Sequence, residues 1–193
     1  MAKVQFVEYV ADLVKSVTVG GHKLLEIVEI VESHITFSGR TSRPKKWLIM
    51  KRRPSVGMLV YDLKHRKVVL VEQLRVAVGE TIMEIPAGSM EAEENPYIVA
   101  RHEISEEVGL NTLDLDLIDE GYLSPGGSDE YMYLFAAQVD LTNSAKINGS
   151  VTGVAKEGED IRVHVLDFET FFKMNLGDFK TNYARMWLLS KSA

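Results

Sequence analysis

The chain has 193 residues, 46% hydrophobic and 26% charged, with a formal net charge of -6 and no cysteine. This is the profile of a globular chain with one core of ordinary size, and it excludes disulfides, thiolate catalysis and Cys-based zinc sites. The negative balance argues against a nucleic-acid surface. No stretch approaches the ~20 apolar residues of a membrane span. The apolar residues from Val4 to Val17 are broken by Glu8, Asp12 and Lys15, so no signal peptide is read and cytoplasm is the expected compartment.

Residues 1–50 alternate between apolar and polar, with strands expected at Leu24–Val31 and Lys46–Met50 and turns at Gly20-Gly21 and Ser42–Lys46. This N-terminal region is expected to form antiparallel strands, either a small sheet of its own or strands pairing with a second subunit, ahead of a main domain over 51–193. Gly57–Tyr61 and Lys67–Gln73 flank Asp62–Arg66 and predict a hairpin. Thr81–Ile85 reads as a short strand ended by Pro86-Ala87-Gly88. Pro96–Val108 predicts a helix, with Asn95 suited to the N-cap, Pro96 to the first position and Gly109 to the stop. Strands follow at Leu115–Tyr122 and Tyr131–Val139, then a polar loop over Asn143–Asp160 and a strand at Ile161–Leu166. Helices close the chain at Phe168–Met174 and Phe179–Ser190, the second with Asp178 as N-cap and a stripe of Tyr183, Met186, Trp187 and Leu188. The pattern implies an α/β fold, a three-layer α/β/α sandwich around a mixed sheet.

The helix at Pro96–Val108 carries Glu103, Glu106 and Glu107, which share a face at helical spacing. Such a cluster is either a solvated acidic face or a site for a hard cation such as Mg²⁺, which takes oxygen ligands.

The run Gly88-(5)-Glu94-(7)-His102-Glu103-Ile104-Ser105-Glu106-Glu107-Val108-Gly109-Leu110 resembles the Nudix box, matching every fixed position except one. His102 stands where the family has arginine. The resemblance implies a Nudix-type sandwich and a Mg²⁺ site (Mn²⁺ as the alternative) formed by the Ala87 carbonyl, Glu103 and Glu107. Glu106 would assist, and Glu94 would support the helix. Gly88 would permit a tight turn that points the Ala87 carbonyl at the helix. The family arginine orients a catalytic glutamate. A histidine has shorter reach and fewer donors, so activity here is expected to be reduced or pH-dependent.

Further matches at Val71-Glu72-Gln73-Leu74-Arg75, Met83-Glu84-Ile85-Pro86-Ala87-Gly88, Ser124–Glu130 and Glu157-Gly158-Glu159-Asp160-Ile161 resemble the ADP-ribose and nucleoside-diphosphate-sugar pyrophosphatases, including GDP-mannose hydrolases. On that likeness Arg75 would hold phosphate and Glu84 would sit near metal and substrate, although an exposed strand-end arginine and an outward polar residue are equally ordinary readings. Glu157 would be the general base, with Glu130 as its rival. Asp178-Phe179-Lys180 is similar to a pattern of the sugar-nucleotide branch, and Lys180 opposes the helix dipole locally. The implied function is metal-dependent hydrolysis of a nucleoside diphosphate sugar to a nucleoside monophosphate and a sugar phosphate, by a homodimer that binds neither nucleic acid nor membrane. Strict ADP-ribose hydrolysis, or a non-catalytic nucleotide-binding module suggested by His102, are the alternatives.

Overall fold

The computed structural model describes residues 5–19, 22–91, 93–153 and 160–192. It divides into two compact units, Met1–Arg53 with Tyr122–Tyr131, and Pro54–Gly121 with Met132–Ala193.

In the first unit, β1 (Phe6–Val19), β2 (His22–His34) and β3 (Lys45–Lys51) form an antiparallel sheet in the order β1-β2-β3. β2 and β3 contain the expected strands Leu24–Val31 and Lys46–Met50, whereas β1 forms where the sequence shows only alternation. The predicted Gly20-Gly21 turn lies outside the described residues. Segment Tyr122–Tyr131 is tied to β3: Met50 N–H donates to the Gly127 carbonyl at 2.8 Å, and Lys51 pairs with Asp129 at 2.7 Å. Apolar side chains on β1 and β3 stay exposed, with Leu13 at 59% and Leu48 at 65%.

The second unit is built on an eight-stranded sheet: β4 (Ser55–Asp62), β5 (Lys67–Arg75), β6 (Glu80–Glu84), β7 (Ala87–Ser89), β8 (Asp114–Tyr122), β9 (Tyr131–Gln138), β10 (Val151–Thr152) and β11 (Ile161–Asp167). The order is β10-β11-β5-β4-β9-β8, with β6 paired to β5 and β7 to β4. β4 and β9 run parallel while β4 and β5 run antiparallel, which makes the sheet mixed. Strand periodicity sends alternate side chains to opposite faces. Val56, Met58, Val60, Val69, Phe135 and Ala137 pack on one side with Ala100, Ile104 and Val108 of the helical segment after β7. Leu59, Tyr61, Val68, Leu70, Leu134 and Ala136 pack on the other with α2 (Phe168–Lys173) and α3 (Phe179–Ser192). β4 is therefore buried on both faces, which is why it reads as a nearly continuous apolar run. This is the expected α/β/α sandwich. Among the described residues no helix is long and apolar enough to cross a membrane.

Three details differ from the sequence reading. The predicted single helix is α1 (Pro96–Glu103) followed by a π-helical turn at Ile104–Val108. The Asn143–Asp160 segment contains a 3₁₀ turn at Ser144–Lys146 and the two-residue β10. On α3 the buried residues are Thr181, Ala184 and Leu188, while Tyr183 and Met186 are 43% and 66% exposed. The stripe names large apolar side chains, whereas the buried face of α3 combines Leu188 with the small Ala184 and the polar Thr181.

Candidate active site

β7 lies against β4 through the pairs Gly57↔Ala87 and Val56↔Gly88. This sets the start of the Nudix-like run at the edge of α1. A Cβ built on Gly88 would fall 2.0 Å from Glu103 Oε1 and 2.1 Å from its Cδ. Gly88 does not have a positive φ. Its glycine is thus required by the close approach of the Glu103 carboxylate, not by a tight turn, which corrects the sequence argument.

Asn95 caps α1, accepting the Tyr97 N–H at 2.9 Å. Glu94 is exposed and accepts the Glu91 N–H at 2.7 Å, so it braces the loop before the helix. In the π turn, Glu107 is 4% exposed beside the buried Ile104 and Val108, while Glu106 remains exposed. π turns are rare and concentrate at functional sites. This one ends at Gly109, whose φ of 72° is left-handed. The Thr152 hydroxyl on β10 donates to the Glu107 carbonyl at 2.6 Å, satisfying a carbonyl at the helix end. Thr152 was invisible in the sequence, because a two-residue strand inside a polar segment has no periodicity. His102 Nδ1 lies 3.2 Å from Glu106 Oε2, one helical turn away. Arg101 instead reaches the Thr112 carbonyl at 3.4 Å.

The fold gathers Arg75, Glu84, Asp178 and Lys180 into one network. Glu84 ends β6 and is 2% exposed. One of its oxygens accepts Arg75 Nε at 2.6 Å and the other accepts Lys180 Nζ. Lys180 also lies 3.1 Å from Asp178 Oδ1. Burial works against the Arg75 charge, but the Glu84 hydrogen bond and the fields of Glu84, Glu107 and Asp178 outweigh it and hold its pKa above the ordinary arginine value. Lys180, which seemed misplaced at a helix N-terminus, is 11% exposed and finds two carboxylates there. Its position is explained by those ion pairs without a sugar ligand. A hidden member of the network is Thr181, whose hydroxyl accepts the Ile85 N–H at 2.9 Å. A threonine inside a helix carries no signal of such a contact.

On β5, Glu72 accepts from His164 at 2.9 Å and faces Arg162 at 3.5 Å. Both Glu72 and Arg162 line a cleft of about 350 Å³ with Gln73, Leu74, Val76 and Thr81. Of the two candidate bases, Glu130 belongs to the first unit, where Arg52 Nε lies 3.2 Å from its carboxylate. Glu157 lies outside the described residues. The backbone carbonyl of Ala87 and the carboxylates of Glu103 and Glu107 could offer oxygen donors only, the chemistry that suits Mg²⁺ or Mn²⁺. The missing Cβ at Gly88 leaves the space that the Glu103 carboxylate occupies.

The NUDIX domain model matches residues 51–184. The ADP-ribose pyrophosphatase of Escherichia coli strain K12 is 34% identical over 145 residues, covering 72% of this chain and 68% of its own length. That of Bacillus subtilis is 33% identical over 149 residues, covering 75% and 77%. The crystal structure of an ADP compounds hydrolase superposes with a TM-score of 0.66 at 15% identity, covering 99% of this chain and 94% of that one, a likeness of fold. On the match over 51–184 and the identity to these relatives, the chain belongs to the NUDIX family and is a Nudix pyrophosphohydrolase.

Proposed function

We propose that the protein hydrolyses the pyrophosphate bond of a nucleoside diphosphate linked to a sugar, with ADP-ribose the first substrate and GDP-mannose-like compounds the second. The observation that carries this is the placement of Glu103 against Gly88 beside the buried Glu107, in a chain whose relatives are named ADP-ribose pyrophosphatases. Ala87, Glu103 and Glu107 would hold a divalent cation, Mg²⁺ or Mn²⁺, which would supply charge neutralisation for the pyrophosphate oxygens and a more acidic water. Arg75, ion-paired through Nε to Glu84, presents the rest of its guanidinium to a phosphate. The cleft bordered by Glu72 and Arg162 is within the ordinary size range of small-ligand sites and takes one arm of the substrate. Water adds to phosphorus, the P–O–P bridge breaks, and a nucleoside monophosphate and a sugar phosphate leave. Glu157 is the base in this reading, because the Glu130 carboxylate is already engaged by Arg52. We also assign the exposed apolar faces of β1 and β3 to a homodimer contact.

The test is release of nucleoside monophosphate from ADP-ribose, GDP-mannose, UDP-glucose and ADP-glucose, with Mg²⁺, with Mn²⁺ and with EDTA. Glu107→Gln should lower turnover by at least about 100-fold. Glu157→Gln should cost far more than Glu130→Gln. Turnover that survives EDTA would remove the metal reading, and an inert Glu130→Gln beside an active Glu157→Gln would exchange the bases.

A further inference from the structure

We propose that Thr181 is a positioning residue for the segment that delivers the Ala87 carbonyl, acting through the Ile85 N–H; this rests on the metal reading above. β6 ends at Glu84 and β7 begins at Ala87, so Ile85 and Pro86 lie between two strands and outside both ladders. Pro86 has no N–H to give. Its carbonyl accepts the Met58 N–H of β4 at 2.9 Å, and the Ile85 N–H goes to Thr181 Oγ1 at 2.9 Å. The connection is therefore pinned on one side to the central strand and on the other to α3.

The direction of the second bond is fixed by chemistry. The Thr181 hydroxyl has one proton, and it donates to Asp178 Oδ2 at 2.5 Å. Its lone pairs are left for Ile85. The same Asp178 oxygen accepts the Thr181 backbone N–H at 2.8 Å, which caps α3 and locks the threonine in place. Ile85 and Thr181 are both fully buried, so water cannot replace the hydroxyl. One residue earlier, Lys180 reaches Glu84 from the same helical turn. The first turn of α3 thus grips consecutive residues, 84 by a side chain and 85 by its backbone, immediately before the expected metal ligand. Ordinary N-capping explains the bond from the Thr181 backbone to Asp178. It does not call for a hydroxyl aimed at another element.

Thr181→Val removes the hydroxyl at nearly constant shape, Thr181→Ser keeps it, and Thr181→Ala removes it with less bulk. Mn²⁺ affinity, read from the EPR signal of the free ion, and kcat and KM for ADP-ribose would be measured for each, with thermal unfolding as the control for folding. The expected result is Mn²⁺ binding about 10- to 100-fold weaker in the folded Val or Ala variant, a fall in kcat with KM little changed, and near-normal values in Thr181→Ser. A folded Thr181→Val or Thr181→Ala that binds Mn²⁺ like the unmodified chain overturns the proposal. So does a Ser variant as impaired as the Val variant. If both hydroxyl-free variants are unfolded, Thr181 serves stability alone and the assignment is likewise wrong. Failure of the unmodified chain to bind Mn²⁺ is a different result, which removes the metal reading itself and this inference with it.

Discussion

Gly88 and Glu103 contest the same space. The atoms that a Gly88 Cβ would meet are the outer atoms of a flexible side chain, so Gly88→Ala should be tolerated by the fold while swinging the carboxylate out of place. The expected outcome is a melting temperature close to that of the parent with activity reduced about 10- to 100-fold. An active Gly88→Ala would show that Glu103 has no role there. His102 and Glu106 are both substantially exposed, at 74% and 38%, and such a pair is worth under about 0.5 kcal/mol. His102→Ala should hardly change stability. His102→Arg keeps a nitrogen donor within reach of Glu106 and adds the longer, forked guanidinium. His102→Arg should therefore be at least as active as the parent and His102→Ala less active, and equal activity of all three would show that the pair does not serve catalysis. The departure at residue 102 was legible in the motif, but its pairing with Glu106 is seen only in the structure. The steric reason for Gly88 was not legible, because it depends on a contact between two elements.

At the scale of elements, the β4–β5 hairpin is held by Asp62, which is 3% exposed. It accepts the His65 ring at 2.6 Å, the His65 N–H at 3.0 Å and the Leu141 N–H at 2.8 Å. Burial alone would raise its pKa, but these hydrogen bonds outweigh burial and lower it. The native carboxyl thus titrates below its unfolded value of about 3.9. The ionised form stabilises the fold above that value, and the contribution is lost as pH falls through the native pKa. Asp62→Ala should cost about 2–3 kcal/mol at pH 7 by stranding the buried donors. Its stability should fall less steeply than the parent's on acidification below pH ~4. Chemical denaturation at pH 7 and at lower pH reads both effects, and parallel curves for the two proteins would contradict the assignment. The hairpin itself was readable from its two apolar runs. The π turn was not, since Pro96–Val108 has ordinary helical periodicity and the widened turn puts Glu107 inside while Glu106 stays out.

For the whole molecule, the sheet of β1, β2 and β3 leaves Val7, Leu13, Val14 and Leu48 more than half exposed. Apolar side chains gathered so densely on one small sheet favour a partner. Sedimentation equilibrium should give a dimer at micromolar concentration, and Leu13→Glu with Leu48→Glu should shift it to monomer. A monomeric parent would end the homodimer proposal. The sequence boundary near residue 50 misses one feature of this unit. Tyr122–Tyr131 joins it from far along the chain through Met50–Gly127 and Lys51–Asp129, and a pattern read locally does not report long-range pairing.

The sequence by itself determined the family, the layered sandwich and the glutamates at 103, 106 and 107. These follow from spacing along the chain: period two in strands, near 3.6 in helices, and the fixed intervals of the Nudix box. Only the tertiary structure decided which glutamate is buried, why residue 88 is glycine, and that Lys180 and Thr181 act on Glu84 and Ile85, almost a hundred positions away. Burial and hydrogen bonding are settled by what one element meets when it packs on another, and no interval in the sequence records that meeting.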